Sequence, residues 1–225
     1  MKKTALGFCA AAVVCVAATS LFIHPGASKG LHHHIVVIKP TFTIAAYQRH
    51  GFYDYYRGSC SMKCLTVDLS PKEHTENTNY TGSGNALFII RRLNAADVVT
   101  DQQVSRTPGL LEKYEKVIVL HNEYVTQSEF EAITHHHNVL YLYPTSLFAL
   151  LSYDAANNTI TLQRGHGYLG VNNAFAWAPS MSTQNEYNTS CIDWKLQKAP
   201  NGSVLNCYPE HDILHDQRLW KELSD

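Results

Sequence analysis

The chain has 225 residues, enough for one domain with a substantial core or at most two small ones. Its 18 basic and 19 acidic side chains leave a formal net charge of −1, which argues against nucleic acid or an anionic membrane surface as the main partner. Histidine and tyrosine, 13 of each, are frequent, and these side chains ligate metals, move protons or line polar pockets.

Lys2 and Lys3 precede an apolar and small-residue run from Ala5 to Ile23, and His24, Pro25 and Gly26 end any helix there. The run reads as an export signal. At about 19 residues it falls between a signal-peptide core and a membrane-spanning helix, which needs roughly 20 apolar residues. Ala18 and Ser20 form a small-residue cleavage pattern, whereas the length and the paired lysines suit an anchor with its N-terminus inside. Residues 1–30 are thus expected to be a signal peptide or a membrane anchor. Residues 31–225 are expected to form an extracytoplasmic domain, secreted or held to the membrane by the N-terminal segment.

Cys9 and Cys15 lie within the apolar run as small fillers. Cys60, Cys64, Cys191 and Cys207 lie in the exported part, where an oxidising compartment favours disulfides. Cys191 and Cys207 flank two strand-like segments, Trp194 to Leu196 and Val204 to Asn206, joined by the turn-forming Pro200-Asn201-Gly202, so a bridge closing that hairpin is geometrically natural. Cys60 and Cys64 then pair locally; a zinc site from all four cysteines is the competing reading. Asn-x-Ser/Thr sequons at Asn79, Asn157, Asn188 and Asn201 are candidate glycan carriers in predicted loops or turns.

Along the domain, Ile35 to Ile38 form a short apolar run stopped by Lys39-Pro40 and read as a buried parallel strand. Ile44, Tyr47, Gly51, Phe52, Tyr55 and Tyr56 recur at helical spacing, predicting one helix that ends near Gly58 with a tyrosine stripe packed into the core. Leu65 to Leu69 alternate as a strand, and the polar stretch from Ser70 to Gly84 reads as a long exposed loop. Ala86 to Leu93 suggest a second helix, Asp97 to Thr100 an extended segment, and Pro108 opens a helix through Tyr114. Lys116 to Leu120 is the clearest strand; a helix capped by Thr126 or Ser128 follows, then a buried strand from Val139 to Tyr143. Tyr153 to Gln163 read as an antiparallel hairpin added to the sheet, and an amphipathic helix around Ile213, Trp220 and Leu223 closes the chain. The alternation predicts an α/β fold: a doubly wound, mostly parallel sheet with helices on both faces and added β-hairpins, preceded by an N-terminal apolar helix.

Open α/β sheets bind ligands at the carboxyl ends of their strands, which directs attention to His121-Asn122-Glu123-Tyr124-Val125-Thr126. Polar and ionisable groups crowd this turn before a helix N-terminus, where backbone N–H groups also receive anions. The competing role for His121 and Glu123 is to satisfy backbone groups and cap the helix. A second constellation, Arg164-Gly165-His166-Gly167-Tyr168, presents Arg164 as a clamp for a carboxylate or phosphate and His166 as a metal ligand or proton shuttle; the structural alternative pairs Arg164 with Glu123 or Glu210. If the two segments converge, His121, Glu123 and His166 suit a divalent metal with an open position, and the candidate catalytic set is His121, Glu123, Arg164 and His166. The runs His32 to His34 and His135 to His137 read as surface or helix-capping residues.

The strand followed by His-x-Glu-Tyr and a helix resembles the class I glutamine amidotransferase-like, flavodoxin-like fold, and in particular the C-terminal domain of the N,N-dimethylformamidase large subunit. From about Ile35 to Glu210 the chain also looks like exported archaeal proteins of this fold, with similar HNEYVT, RGHGY and LNCYPE segments. The resemblance implies that His121 and Glu123 belong to an iron-dependent amide-hydrolysing centre; Asn122, Val125 and Thr126 depart from the family's motif. No Cys or Ser occupies the strand-to-helix turn, which argues against a covalent amidotransferase mechanism and for acid–base chemistry or water activated by iron or zinc. The expected function is hydrolysis of a small amide or a glycan-related substrate; the alternatives are a noncatalytic envelope glycoprotein and a ligand- or metal-binding module.

Overall fold

The computed structural model describes residues 35–70, 83–93, 96–181, 183–209 and 211–224. In chain order the elements are β1 (Ile35–Lys39), α1 (Thr41–Ala46), α2 (Phe52–Tyr56), β2 (Thr66–Asp68), α3 (Ser83–Arg92), β3 (Asp97–Thr100), α4 (Asp101–Arg106), β4 (Lys116–Val119) and β5 (Tyr124–Val125). There follow α5 (Gln127–His135), β6 (Val139–Tyr141), β7 (Ala149–Asp154), β8 (Thr159–Arg164), α6 (Thr183–Glu186), β9 (Leu196–Ala199), β10 (Gly202–Leu205) and α7 (Gln217–Ser224). Short 3-10 turns lie at Met62–Leu65, Leu110–Lys113, Ala178–Met181 and His211–His215.

The apolar runs at Ile35, Lys116 and Val139 become the centre of a six-stranded sheet ordered β3-β1-β4-β6-β10-β9. Every neighbouring pair in it is parallel except β10 and β9, which form an antiparallel edge hairpin. Successive side chains of a strand point to opposite faces, and here both faces are covered. Val37, Ile118 and Leu140 pack with Ala86 and Ile89 of α3 and with Leu219, Trp220 and Leu223 of α7. Val36, Ile38, Val117, Val119 and Tyr141 pack with Val104 of α4 and Ile133 of α5. The domain is therefore α/β with helices on both faces of a mostly parallel sheet. Truncating a wholly buried strand residue such as Ile118 to Ala costs about 2–5 kcal/mol.

Counted along the chain, the five parallel strands lie in the order 2-1-3-4-5, so the connections reverse direction between β1 and β4. Their carboxyl ends sit side by side at that reversal, where open sheets leave a crevice.

A second sheet, β2-β8-β7-β5, encloses its own core of Phe42, Phe52, Leu65, Val67, Tyr124, Leu151, Ile160 and Leu162. The hairpin expected at Tyr153 to Gln163 is present as β7 and β8, but it belongs to this second sheet and is longer than expected. The hairpin that extends the main sheet is β9–β10. The difference arises because the chain leaves the main sheet after Leu120 and pairs β5 in parallel with β7.

The single helix expected from Ile44 to Gly58 is two, α1 and α2, broken at His50 and Gly51. Gly51 packs onto the first helix so closely that a Cβ would lie 2.2 Å from the Ala46 carbonyl oxygen, and His50 takes a left-handed φ of 64°. The helix expected after Pro108 is only the 3-10 turn Leu110–Lys113; α4 precedes it, started by a capping box in which Thr100 and Gln103 satisfy each other's backbone N–H.

Cys60 bonds to Cys64 and Cys191 to Cys207, as the spacing predicts, which removes the four-cysteine zinc site and is consistent with an extracytoplasmic location. Asn157 stands exposed in the β7–β8 turn. Asn188 is partly buried, its amide 3.4 Å from the Asn206 carbonyl. The Asn201 amide donates to the carbonyls of Ile133 and His136, both at 2.9 Å, and so ties off the end of α5. His135 contacts the Glu131 carbonyl and the buried His136 contacts the Tyr114 carbonyl, in keeping with capping roles. Among the described residues no helix is long and apolar enough to cross a membrane. The expected export segment at residues 1–30, His32 to His34, Asn79, Glu210 and most of the Ser70 to Gly84 loop lie outside the described residues.

Candidate functional site

The peptide His121-Asn122-Glu123 runs from the end of β4 in one sheet to the start of β5 in the other. Several of its backbone groups are engaged on the way. Glu123 and Tyr124 donate their N–H groups to the Thr43 hydroxyl at 2.9 and 3.3 Å, and the Asn122 and Glu123 carbonyls accept from Leu147 and Phe148 at 2.8 and 2.9 Å. Thr43 comes from α1, which starts at the carboxyl end of β1, so the two central strands jointly hold the turn. With these main-chain groups satisfied, the turn is free to aim side chains inward.

Those side chains converge on one carboxylate. Glu123 is only 3% exposed, and its Oε2 accepts a 2.8 Å hydrogen bond from the Tyr47 hydroxyl and lies 3.5 Å from His121 Nε2. Its Oε1 lies 2.7 Å from His166 Nε2. Burial pushes the Glu123 carboxyl up, but the charge and contact of His166, with His121 and Tyr47, outweigh it and hold the group below its ordinary value, so it stays ionised. His121 is itself boxed by the Thr145 hydroxyl at 3.1 Å and the Tyr208 hydroxyl at 3.2 Å, with the Tyr143 ring 5.1 Å away.

His166 arrives from the second sheet on a turn that only glycine permits. Gly165 has φ 115°, and a Cβ there would sit 3.0 Å from Ala149 Cα on the neighbouring strand. Backbone bonds from His166 to Asn172 and from Gly167 to Val171 close the loop, and the imidazole stacks on Tyr124 at 5.0 Å beside Phe148. Arg164 does not join the group: it ends β8 as an exposed side chain and is not an ion partner of Glu123. His121, Glu123 and His166 therefore come together as the sequence expects, and the carboxylate or phosphate clamp does not.

A second carboxyl group feels the charges of this centre. Glu186 of α6 is half-buried; burial raises its carboxyl, the Glu123 charge raises it further, and His166 partly opposes both. The two carboxyl groups are thus pushed in opposite directions, the arrangement that separates an acid from a base.

The donor set bears on a metal. His166 Nε2 is buried without an aligned hydrogen bond despite its 2.7 Å approach to Glu123, as is the Tyr124 hydroxyl, so polar atoms converge here. The two imidazoles, however, take opposite oxygens of the carboxylate, and the trio does not offer three donor atoms within 4.8 Å of one another. First-row metal ligands lie only about 2.0–2.3 Å from their ion. The expected three-ligand iron or zinc centre is therefore not formed by His121, Glu123 and His166 as they stand, because the carboxylate lies between the histidines and they do not face a common point.

Access is from one side. His121 is 1% exposed, the His166 side chain 11%, and Tyr56, which packs edge-on to His166, is more than half exposed. An open depression of about 500 Å3 lined by Ser105, Thr126, Ser128, Ser152 and Tyr153 is elsewhere and includes none of the three.

Beneath the turn, Asn122 donates at 2.5 Å to Asp101, which also accepts from the backbone of Phe42 at 2.6 Å and so caps α1. Asp101 lies against Glu129, and both are wholly buried. Burial pushes Asp101 up to about 6, and burial with the Asp101 charge holds Glu129 well above the carboxylate range. Glu129 therefore carries a proton beside an Asp101 carboxylate that the peptide and amide N–H groups favour.

Tyr47, Thr43, Tyr208, Asp101 and Glu186 were not recognisable as site residues. Tyr47 reads as one member of an apolar stripe, and nothing local marks its hydroxyl; Tyr208 directly follows Cys207, whose disulfide positions it. The chain matches no protein-family model, and no curated protein matches it at a significant level, so the convergence on Glu123 is what any functional reading of this chain rests on.

Proposed function

We propose that the domain is a hydrolase of a small amide or glycan-related substrate, working by proton transfer to and from water at the His121–Glu123–His166 centre. The observation that carries this reading is the ionised, buried Glu123 held between two imidazoles at the carboxyl ends of the two strands where the sheet reverses direction. Glu123 orients His166, as a buried carboxylate orients the base in hydrolytic triads. His166, the least buried of the three, takes the proton of the attacking water with the nitrogen turned away from Glu123. Glu186, raised above its ordinary range, delivers a proton to the leaving group. The tyrosines around the centre exclude bulk water.

The strand order 2-1-3-4-5 supports a flavodoxin-like, glutamine amidotransferase-like fold, and the position of His121 to Tyr124 supports kinship with the N,N-dimethylformamidase C-terminal domain. The two disulfides support an exported protein, secreted or attached to the membrane by residues 1–30. The burial of Glu123 favours one second reading, a noncatalytic domain that binds a small ligand or glycan through the same pocket.

A panel of amides and glycosides separates the two. Hydrolysis by the parent chain that falls by about 100-fold or more in Glu123→Gln and His166→Gln is the expected result. Activity unchanged by both substitutions overturns the proposal, and binding without turnover establishes the second reading.

A further inference from the structure

Away from Glu123, the Nδ1 or Nε2 atom of His50 and the sulfurs of Cys60 and Cys64 lie within 4.8 Å of one another, the single such group of three among the described residues. One residue organises it. The Asp54 carboxylate accepts the His50 N–H at 2.6 Å, while the Asp54 carbonyl accepts the N–H groups of Ser59 at 2.9 Å and Cys60 at 3.1 Å. His50 holds a left-handed φ of 64°, where a residue with a side chain is uncommon. Between the cysteines stands Met62, 67% exposed.

We propose that the Cys60–Cys64 disulfide is a reversible clasp which, once reduced, binds Cu(I) through two thiolates and the His50 imidazole. Reduction needs a dithiol, which gives two electrons and two protons to the sulfur–sulfur bond and itself becomes a disulfide. Binding then releases the two thiol protons to solvent as the sulfurs and one imidazole nitrogen take the ion. Thiolate and thioether donors favour Cu(I) over harder divalent ions, and Met62 is a thioether in reach of the surface. The two disulfides differ in the way this requires. Cys60 is partly exposed and closes a loop only four residues apart in sequence, whereas Cys191 and Cys207 are both buried and sixteen apart. A short loop restrains the unfolded chain least, and an accessible sulfur is the one a reductant attacks.

The test uses the full chain with Cys9→Ser and Cys15→Ser, reduced by a dithiol, freed of reductant without oxygen and titrated with Cu(I) against a chromogenic Cu(I) chelator. Alkylation and mass measurement are expected to show two new thiols, at Cys60 and Cys64, and the reduced chain to bind one Cu(I) that the oxidised chain does not. His50→Ala, which leaves the disulfide able to form, is expected to weaken binding by about tenfold or more. Three results overturn the proposal: Cys191 and Cys207 open first, the reduced chain competes no better than the oxidised one, or His50→Ala binds as tightly as its parent.

Discussion

Two buried acidic centres are linked through Asn122, and burial has opposite outcomes in them. At Glu123 the desolvation of a carboxylate is outweighed by two imidazoles and a tyrosine hydroxyl, and the group stays ionised. At Asp101 and Glu129 the nearest ionisable group is another acid, and both are pushed up. The contrast shows that depth sets how much is at stake electrostatically and that the partner's charge sets the sign. It also separates roles: the charged centre suits chemistry, while the proton-sharing pair suits the positioning of α1 and Asn122, which carry Thr43 and Tyr47 to Glu123.

The largest expected effect comes from making Glu123 resemble the acid pair. His121→Ala combined with His166→Ala leaves a buried carboxylate without its imidazole partners and is expected to cost about 3–5 kcal/mol at pH 7. Because a depressed carboxyl stabilises the fold above its ordinary value of 4.5 and loses that contribution as pH falls through its lower folded value, the deficit should shrink in acid. Urea denaturation at pH 7 and pH 4 checks this; an equal deficit at both would mean that Glu123 draws nothing from its histidines.

Next in size is the reverse slope at the other centre. Asp101 and Glu129 have folded values above their ordinary 3.8 and 4.5, so the stability they contribute is complete below about pH 4 and is lost as pH rises, for Asp101 through about 6. The parent chain should lose roughly 1–3 kcal/mol from this pair between pH 4 and pH 7. Glu129→Gln offers Asp101 an amide N–H in place of an acid and should flatten the slope; a pH–stability curve that keeps its shape in the variant would exclude the shared proton.

The smallest effect tests whether that slope belongs to the acids alone. The Thr126 hydroxyl caps α5 by accepting the Glu129 N–H at 3.1 Å, so Thr126→Ala should cost about 1 kcal/mol at every pH between 4 and 7. A cost that varies with pH would show that the cap and the proton are coupled.

Much of the architecture was legible. The runs at Ile35, Lys116 and Val139 are almost continuously apolar, as strands covered on both faces require, and their sequence alone marks them as strands. The pairing of Cys191 with Cys207 followed from the hairpin between them. The α4 helix was missed because a single apolar residue, Val104, marks its buried face, although Thr100 and Gln103 spell a capping box. At the site, His121, Glu123 and His166 were identifiable by residue type and by their places after strands. Arg164 is exposed rather than grouped with them, because glycines mark a turn without telling which neighbour faces inward.

The sequence by itself determined the central strands of the main sheet and which loop carries an imidazole and a carboxylate, because hydrophobic period and turn chemistry act over a few residues. Only the tertiary structure decided that Tyr47 meets Glu123 across 76 positions, that His166 takes the opposite oxygen from His121, and that Asp101 finds Glu129. Those outcomes depend on strand order and on a chain that crosses between two sheets, and no local pattern encodes which distant side chains such a crossing brings into contact.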